Sequence, residues 1–169
     1  MISDAYKLRP VMNEGEEVPG LMECDSLQVT KSGVTVDVGC GNAFGDAAAD
    51  EAPDDGEEKV NNVIDETFGF NYQECPMGKK DFRDYLKAYC GATRQLLKDD
   101  PKIEGPQVKK FANGAQDMCK FLLSKADDFQ FYMSPSFNPD GLMAMAYYPE
   151  GAANPTFIYI TEGLIGTKC

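Results

Sequence analysis

The chain has 169 residues, 43% of them apolar, no histidine, and a formal net charge of −12. The lack of histidine excludes Ser-His-Asp and Cys-His catalysis and any Cys/His zinc site. The net acidity argues against non-specific nucleic-acid binding, and no apolar run approaches the roughly 20 residues of a membrane helix.

The length suits a single domain over residues 1–169 with a core of its own. The opening Met1-Ile2-Ser3-Asp4 has neither a basic nor an apolar leader region, so a cytoplasmic protein is expected. Cys24, Cys40, Cys75, Cys90, Cys119 and Cys169 form no Cys-x-x-Cys pair, and they read as reduced, small buried hydrophobes. Charge is segregated: Lys79 to Lys125 carries a net of +5 and the remainder −17. A basic element therefore sits on an acidic body.

In chain order, Ala5 to Arg9 alternates apolar and polar residues, and Pro10 is expected to end that strand. The stretch on to Gly20 reads as polar and turn-rich. Leu27 to Val29 and Val34 to Val38 alternate again around Ser32-Gly33 and read as a hairpin. Residues 39–59 are rich in Gly, Ala and acids and read as a flexible acidic loop. Val60 to Phe70 resumes a strand-like pattern.

Two helices follow as an inserted hairpin over 79–125. Phe82, Tyr85, Leu86, Tyr89, Thr93, Leu96 and Leu97 recur at helical spacing, and the helix is expected to end near Asp99, because Asp100 precedes Pro101. Pro106 suits the first turn of the second helix. Its stripe is Val108, Phe111, Ala112, Ala115, Met118, Cys119, Leu122 and Leu123. Their short connection implies an antiparallel pair. Phe129 to Met133, Leu142 to Tyr148 and Thr156 to Ile160 then read as strands, joined by an Asn138–Gly141 turn and a turn between Glu150 and Pro155. Strands, helical pair, strands implies α+β with the hairpin inserted in a mostly antiparallel sheet.

Residues 127–169 carry, in order, FxFY, NPDG, an apolar strand with Tyr, a PxFxYI-type strand, a Gly-Leu pair and a terminal Lys-Cys. This order closely resembles the translationally controlled tumour protein (TCTP) family, and the resemblance extends to the acidic loop and the basic helical pair. It implies an Mss4-like β-tent with a projecting α-helical hairpin and a mobile acidic loop. It also implies a non-enzymatic protein of cytoplasm and nucleus, linked to growth and survival. The partners it implies are tubulin, a Rheb-type small GTPase and elongation factors. No obligatory cofactor is expected, only weakly held calcium, and no membrane or nucleic-acid partner.

The sequence departs from the family pattern in three places. Ile2 to Lys7 resembles a segment that in the family follows a first strand bearing an acidic GTPase contact, so an exposed sheet edge is expected. Glu14-Gly15-Glu16-Glu17 resembles a local insertion, and Ser134-Pro135-Ser136 replaces a Gly-Glu-containing stretch.

The candidate site residues fall in three groups. Asp54, Asp55, Glu57 and Glu58 supply clustered carboxylates for calcium, without the ligand spacing of an EF-hand; the same composition also describes a solvated loop. Lys79, Lys80, Arg83, Lys87, Arg94, Lys98, Lys109 and Lys110 form a basic face to which acidic tubulin surfaces would be attracted, or an ordinary solvated helix surface. The resemblance marks Cys169 for an oxidative dimer of an otherwise monomeric chain; a reduced thiol is the alternative. Tyr147, Tyr148, Phe157 and Tyr159 read as packing.

Among other functions, a redox or chaperone-like protein on the same fold is the alternative. A methionine sulfoxide reductase of the B type is disfavoured, because the chain has neither His nor Cys-x-x-Cys pairs.

Overall fold

A computed structural model describes residues 2–3, 6–31, 58–138, 140–164 and 166–167. The strands are β1 (Ile2–Ser3), β2 (Arg9–Asn13), β3 (Glu16–Asp25), β4 (Gln28–Thr30), β5 (Lys59–Asn61), β6 (Gln73–Glu74), β7 (Gln130–Met133), β8 (Ala144–Tyr147), β9 (Thr156–Ile160) and β10 (Gly166–Thr167). The helices are α1 (Lys79–Asp99) and α2 (Gly105–Ser124), with short 3-10 turns at Ala126–Asp128 and Thr161–Gly163. The main sheet has the order β2-β3-β9-β8-β7-β6 and is antiparallel throughout. β4 pairs with β5 antiparallel and β1 with β10 parallel.

Period-two alternation divides the main sheet into two packed faces. On one, Phe131, Met143, Met145, Ile158 and Ile160 meet Phe82, Leu86, Met118 and Leu122 of the helices. On the other, Cys24, Tyr132, Ala144, Ala146, Phe157 and Tyr159 meet Val63, Phe70 and Tyr72. Central β9, covered on both sides, is buried at all five positions. Its sequence is therefore apolar without a polar side, except for Thr156 at its start.

The N-terminal third differs from the sequence reading. Pro10 does not end a strand but lies inside β2, at an edge of the sheet where its missing N–H removes no ladder bond; the register shifts between Pro10 and Met12. The stretch to Gly20 is mostly a long strand, β3. Its entry is the two-residue turn Glu14-Gly15, with φ of 52° and 90° and Asn13 paired to Glu16. Positive φ at both positions gives the turn the twist that suits a tight hairpin. The apparent insertion is thus a hairpin tip.

Between Asn61 and Gly69 the chain forms hydrogen-bonded turns rather than the expected strand to Phe70. Asn61 Oδ1 accepts from the Val63 N–H at 2.9 Å and Asp65 Oδ1 from the Thr67 N–H at 2.7 Å. Such side-chain acceptors compete with ladder pairing. β4 has β5 as its partner; Val34 to Val38 lies outside the described residues, as does the predicted acidic loop apart from Glu58 and Lys59, and Lys59 already belongs to β5.

The helical pair matches its predicted spans. Phe82, Leu86, Tyr89 and Thr93 are buried along α1, and Phe111, Met118 and Leu122 along α2. Leu96 is the exception, 70% exposed. It keeps the phase of the stripe, but the last turn of α1 runs past Thr93, the last buried position, and outruns the surface that would cover it. Among the described residues, no helix is long and apolar enough to cross a membrane.

Candidate functional site

The bases predicted on the hairpin are all exposed. At about 100° per residue, Lys79, Lys80, Arg83, Lys87, Arg94 and Lys98 fall within a single sector of α1, to one side of the buried stripe. Two of them are drawn toward carboxylates: Lys79 Nζ lies 3.2 Å from Asp127 and Lys87 Nζ 4.0 Å from Asp84. Lys80, Arg83, Arg94 and Lys98 form no ion pair among the described residues. Lys109 and Lys110 stand near the start of α2, and Lys110 lines a cleft of about 350 Å³ with Leu97, Phe111, Met118 and Glu162. Glu162 is exposed as a residue, but partial desolvation of its carboxyl where it lies beside Gly20 raises its pKa, and Lys110 partly offsets this.

Where α2 ends, the sheet face extends beyond the helices and carries a polar network that the sequence reading missed. The Arg9 guanidinium donates through Nε to Glu23 Oε1 at 2.8 Å and grips both oxygens of Asp25. Tyr147 OH donates to Glu23 Oε2 at 2.9 Å, and Thr156 OH to Asp25 at 2.8 Å. The pattern follows from register: Arg9 is opposite Glu23, Asp25 opposite Thr156, and Thr156 opposite Tyr147. Four strands are cross-linked in this way.

Glu23 is a buried carboxylate. Such a group persists only when its oxygens are bonded. Arg9 and Thr156 hold Asp25 below the usual carboxylate range, while burial and then Glu23 push Tyr147 up to about 12. The sequence signal was Glu23 and Asp25 alternating with the apolar Leu21, Met22 and Cys24 in the second half of β3.

Beside this network lies a cleft of about 610 Å³. Val11, Phe121, Phe129 and Ile158 supply its apolar lining; Glu14, Asp128, Glu150 and Lys125 contribute charge. Met12 and Tyr148, both more than half exposed, flank it.

Of the predicted calcium ligands, Asp54, Asp55 and Glu57 lie outside the described residues. Glu58 is exposed, accepts the Lys31 N–H through its backbone oxygen at 2.9 Å, and has its carboxylate 3.6 Å from Lys31 Nζ. Cys169 also lies outside the described residues. Among the described residues no three acids or cysteines are arranged to hold a metal ion. Phe157 and Tyr159 are core residues, Tyr147 is half-buried and hydrogen-bonded, and Tyr148 is exposed.

Cys90 and Cys119 are 29 positions apart in sequence, on facing helices, and their sulfurs are 3.8 Å apart. No short motif encodes this pair; only the antiparallel docking of α1 on α2 creates it.

A family model described as translationally controlled tumour protein matches residues 1–165. The chain belongs to the TCTP family. Its structure is similar to that of the translationally controlled tumor-associated protein p23fyp from Schizosaccharomyces pombe. The TM-score is 0.67 and the identity 29%, over 96% of this chain and 89% of that one. The α+β architecture, an antiparallel sheet carrying two helices, is that of a TCTP structure and consistent with an Mss4-like fold.

Proposed function

We propose that this TCTP-family chain is a non-enzymatic binding protein whose helical hairpin docks on an acidic partner surface of the tubulin type. The observation that supports this most is the clustering of exposed bases in one sector of α1 on a chain of net charge −12. A basic stripe on an acidic body orients the approach to an acidic surface and repels the rest of the molecule from it. Microtubule co-sedimentation of the triple variant Lys80→Glu, Arg83→Glu, Arg94→Glu tests the reading. Binding that falls at least several-fold, and that weakens with salt in the parent, supports it; unchanged co-sedimentation removes it.

Two further roles belong to the same proposal. Asp54, Asp55, Glu57 and Glu58 hold calcium weakly, in the range of about 10⁻⁴ to 10⁻³ M typical of loosely organised sites. Their density of carboxylates supports this, and a flat calorimetric titration at millimolar calcium would sink it. The β-core regulates a Rheb-type small GTPase in the cytoplasm. Family membership supports that role, and nucleotide release unaffected by saturating protein would refute it.

A further inference from the structure

Cys90 sits midway along α1 and Cys119 near the end of α2, both half-buried at the seam between the helices. Their Sγ atoms are 3.8 Å apart, in van der Waals contact. The other two described thiols are placed differently. Cys24 is 1% exposed in the aromatic core, where burial pushes its thiol up to about 11, and Cys75 precedes α1, with its N–H donating to the Phe131 carbonyl of β7. A cysteine that serves only as a small hydrophobe needs no sulfur neighbour. Two sulfurs in contact on separate helices need to close only from 3.8 Å to about 2 Å to bond.

We propose that Cys90 and Cys119 form a dithiol site that hydroperoxides oxidise to an intramolecular disulfide joining the two helices. The Cys119 thiolate attacks the peroxide: an S–O bond forms, the O–O bond breaks, and the leaving oxygen departs as water or alcohol. The sulfur of Cys90 then attacks the resulting sulfenic sulfur. The S–S bond forms, the S–O bond breaks, and water leaves with the remaining thiol proton. One hydroperoxide is reduced by two electrons and two thiols are oxidised.

The order of attack follows from the surroundings. Either sulfur can donate across the contact, so one thiolate of the pair is stabilised by the other thiol. The Glu162 charge adds to the cost of ionising Cys90 and not Cys119, so Cys119 is the thiol that ionises more readily. The bond closes a loop that contains Arg94, Lys98, Lys109 and Lys110, so oxidation staples the basic end of the hairpin.

The test treats the full chain with one equivalent of hydrogen peroxide, blocks free thiols, and maps tryptic peptides without reduction. The expected result is a disulfide between peptides 88–94 and 111–120, with two thiols lost per peroxide and full reversal by dithiothreitol. Its yield is independent of protein concentration. In Cys90→Ser the sulfenic acid is trapped on Cys119 by dimedone; in Cys119→Ser labelling of Cys90 is at least tenfold slower. Both variants are checked for unchanged helical circular dichroism, and the parent mapping needs no variant at all. The proposal is overturned if both cysteines stay alkylatable at a dose that oxidises free cysteine. It is equally overturned if Cys119 passes to the sulfinic acid with Cys90 still reduced, or if the only disulfides join other cysteines or other chains.

Discussion

The hydroxyl of Tyr85 accepts the backbone N–H of Met143 at 2.9 Å and donates to the carbonyl of Gly141 at 3.0 Å. One phenol on α1 thereby docks the helical hairpin onto the strand connection that follows Asn138. Asn138 holds that connection from the other side: its carbonyl accepts the Gly141 N–H at 3.0 Å and its Oδ1 the Asp140 N–H at 3.1 Å. Burial raises the Tyr85 hydroxyl well above its ordinary value, so it remains a donor at any physiological pH.

Tyr85→Phe leaves Met143, 2% exposed, with an unsatisfied N–H. A loss of about 1–3 kcal/mol is expected, read from urea unfolding, together with faster hydrogen exchange at the Met143 amide. Exchange at Met143 unchanged from the parent would show that the hydroxyl does not hold this junction.

Arg9 and Asp25 give the protein part of its acid sensitivity. The folded pKa of Asp25 lies below its unfolded value, so its contribution to stability is present above about pH 4 and is lost as pH falls through the lowered folded value. Arg9→Met is expected to cost about 1–2 kcal/mol at pH 7, discounted for a guanidinium half open to solvent. It should also flatten the fall in stability as pH drops below about 4. Equal acid slopes in parent and variant would exclude this assignment.

Gly163 is required by close approach. A Cβ there would stand 2.0 Å from the Tyr89 hydroxyl and 3.3 Å from Leu142. Gly163→Ala is therefore expected to destabilise by about 1–3 kcal/mol. In a Tyr89→Phe background the clashing oxygen is gone, so the same substitution should cost less. A double-mutant cycle measures the coupling, and strict additivity would mean that the strain is relieved elsewhere.

The two ends of the α1 stripe make opposite predictions. Leu86, 1% exposed under the helix, should lose about 2–5 kcal/mol on change to Ala. Leu96→Gln at 70% exposure should stay within about 0.5 kcal/mol of the parent. Thermal or urea melts of both variants would decide whether the stripe carries energy along its whole length or only where the sheet covers it.

Much of this architecture is legible in the chain because the relevant signals are local. The 3.6-residue recurrence from Phe82 to Leu97 fixes α1, Pro101 and Pro106 bracket the helix connection, and Asn138 to Gly141 announces its turn. The basic stripe follows from those spans, since helical geometry alone gathers Lys80, Arg83, Arg94 and Lys98 onto one sector. The order of strands and turns after Asp127 carried the family resemblance, and the family match bears it out. The N-terminal hairpin was misread because Pro10 and Gly15 are strong breakers in isolation. An edge position and a left-handed turn turn both into fitting residues.

The sequence by itself determined the helical pair, its charge, the late strands and the family, all of them properties of neighbouring residues. Only the tertiary structure decided that Glu23 meets both Arg9 and Tyr147, that Tyr85 clasps the segment after Asn138, and that two thiols 29 positions apart share a contact. Those relationships depend on strand register and on the rotation of one helix against another. Both are set by the packing of the whole core, and no short stretch of chain specifies them.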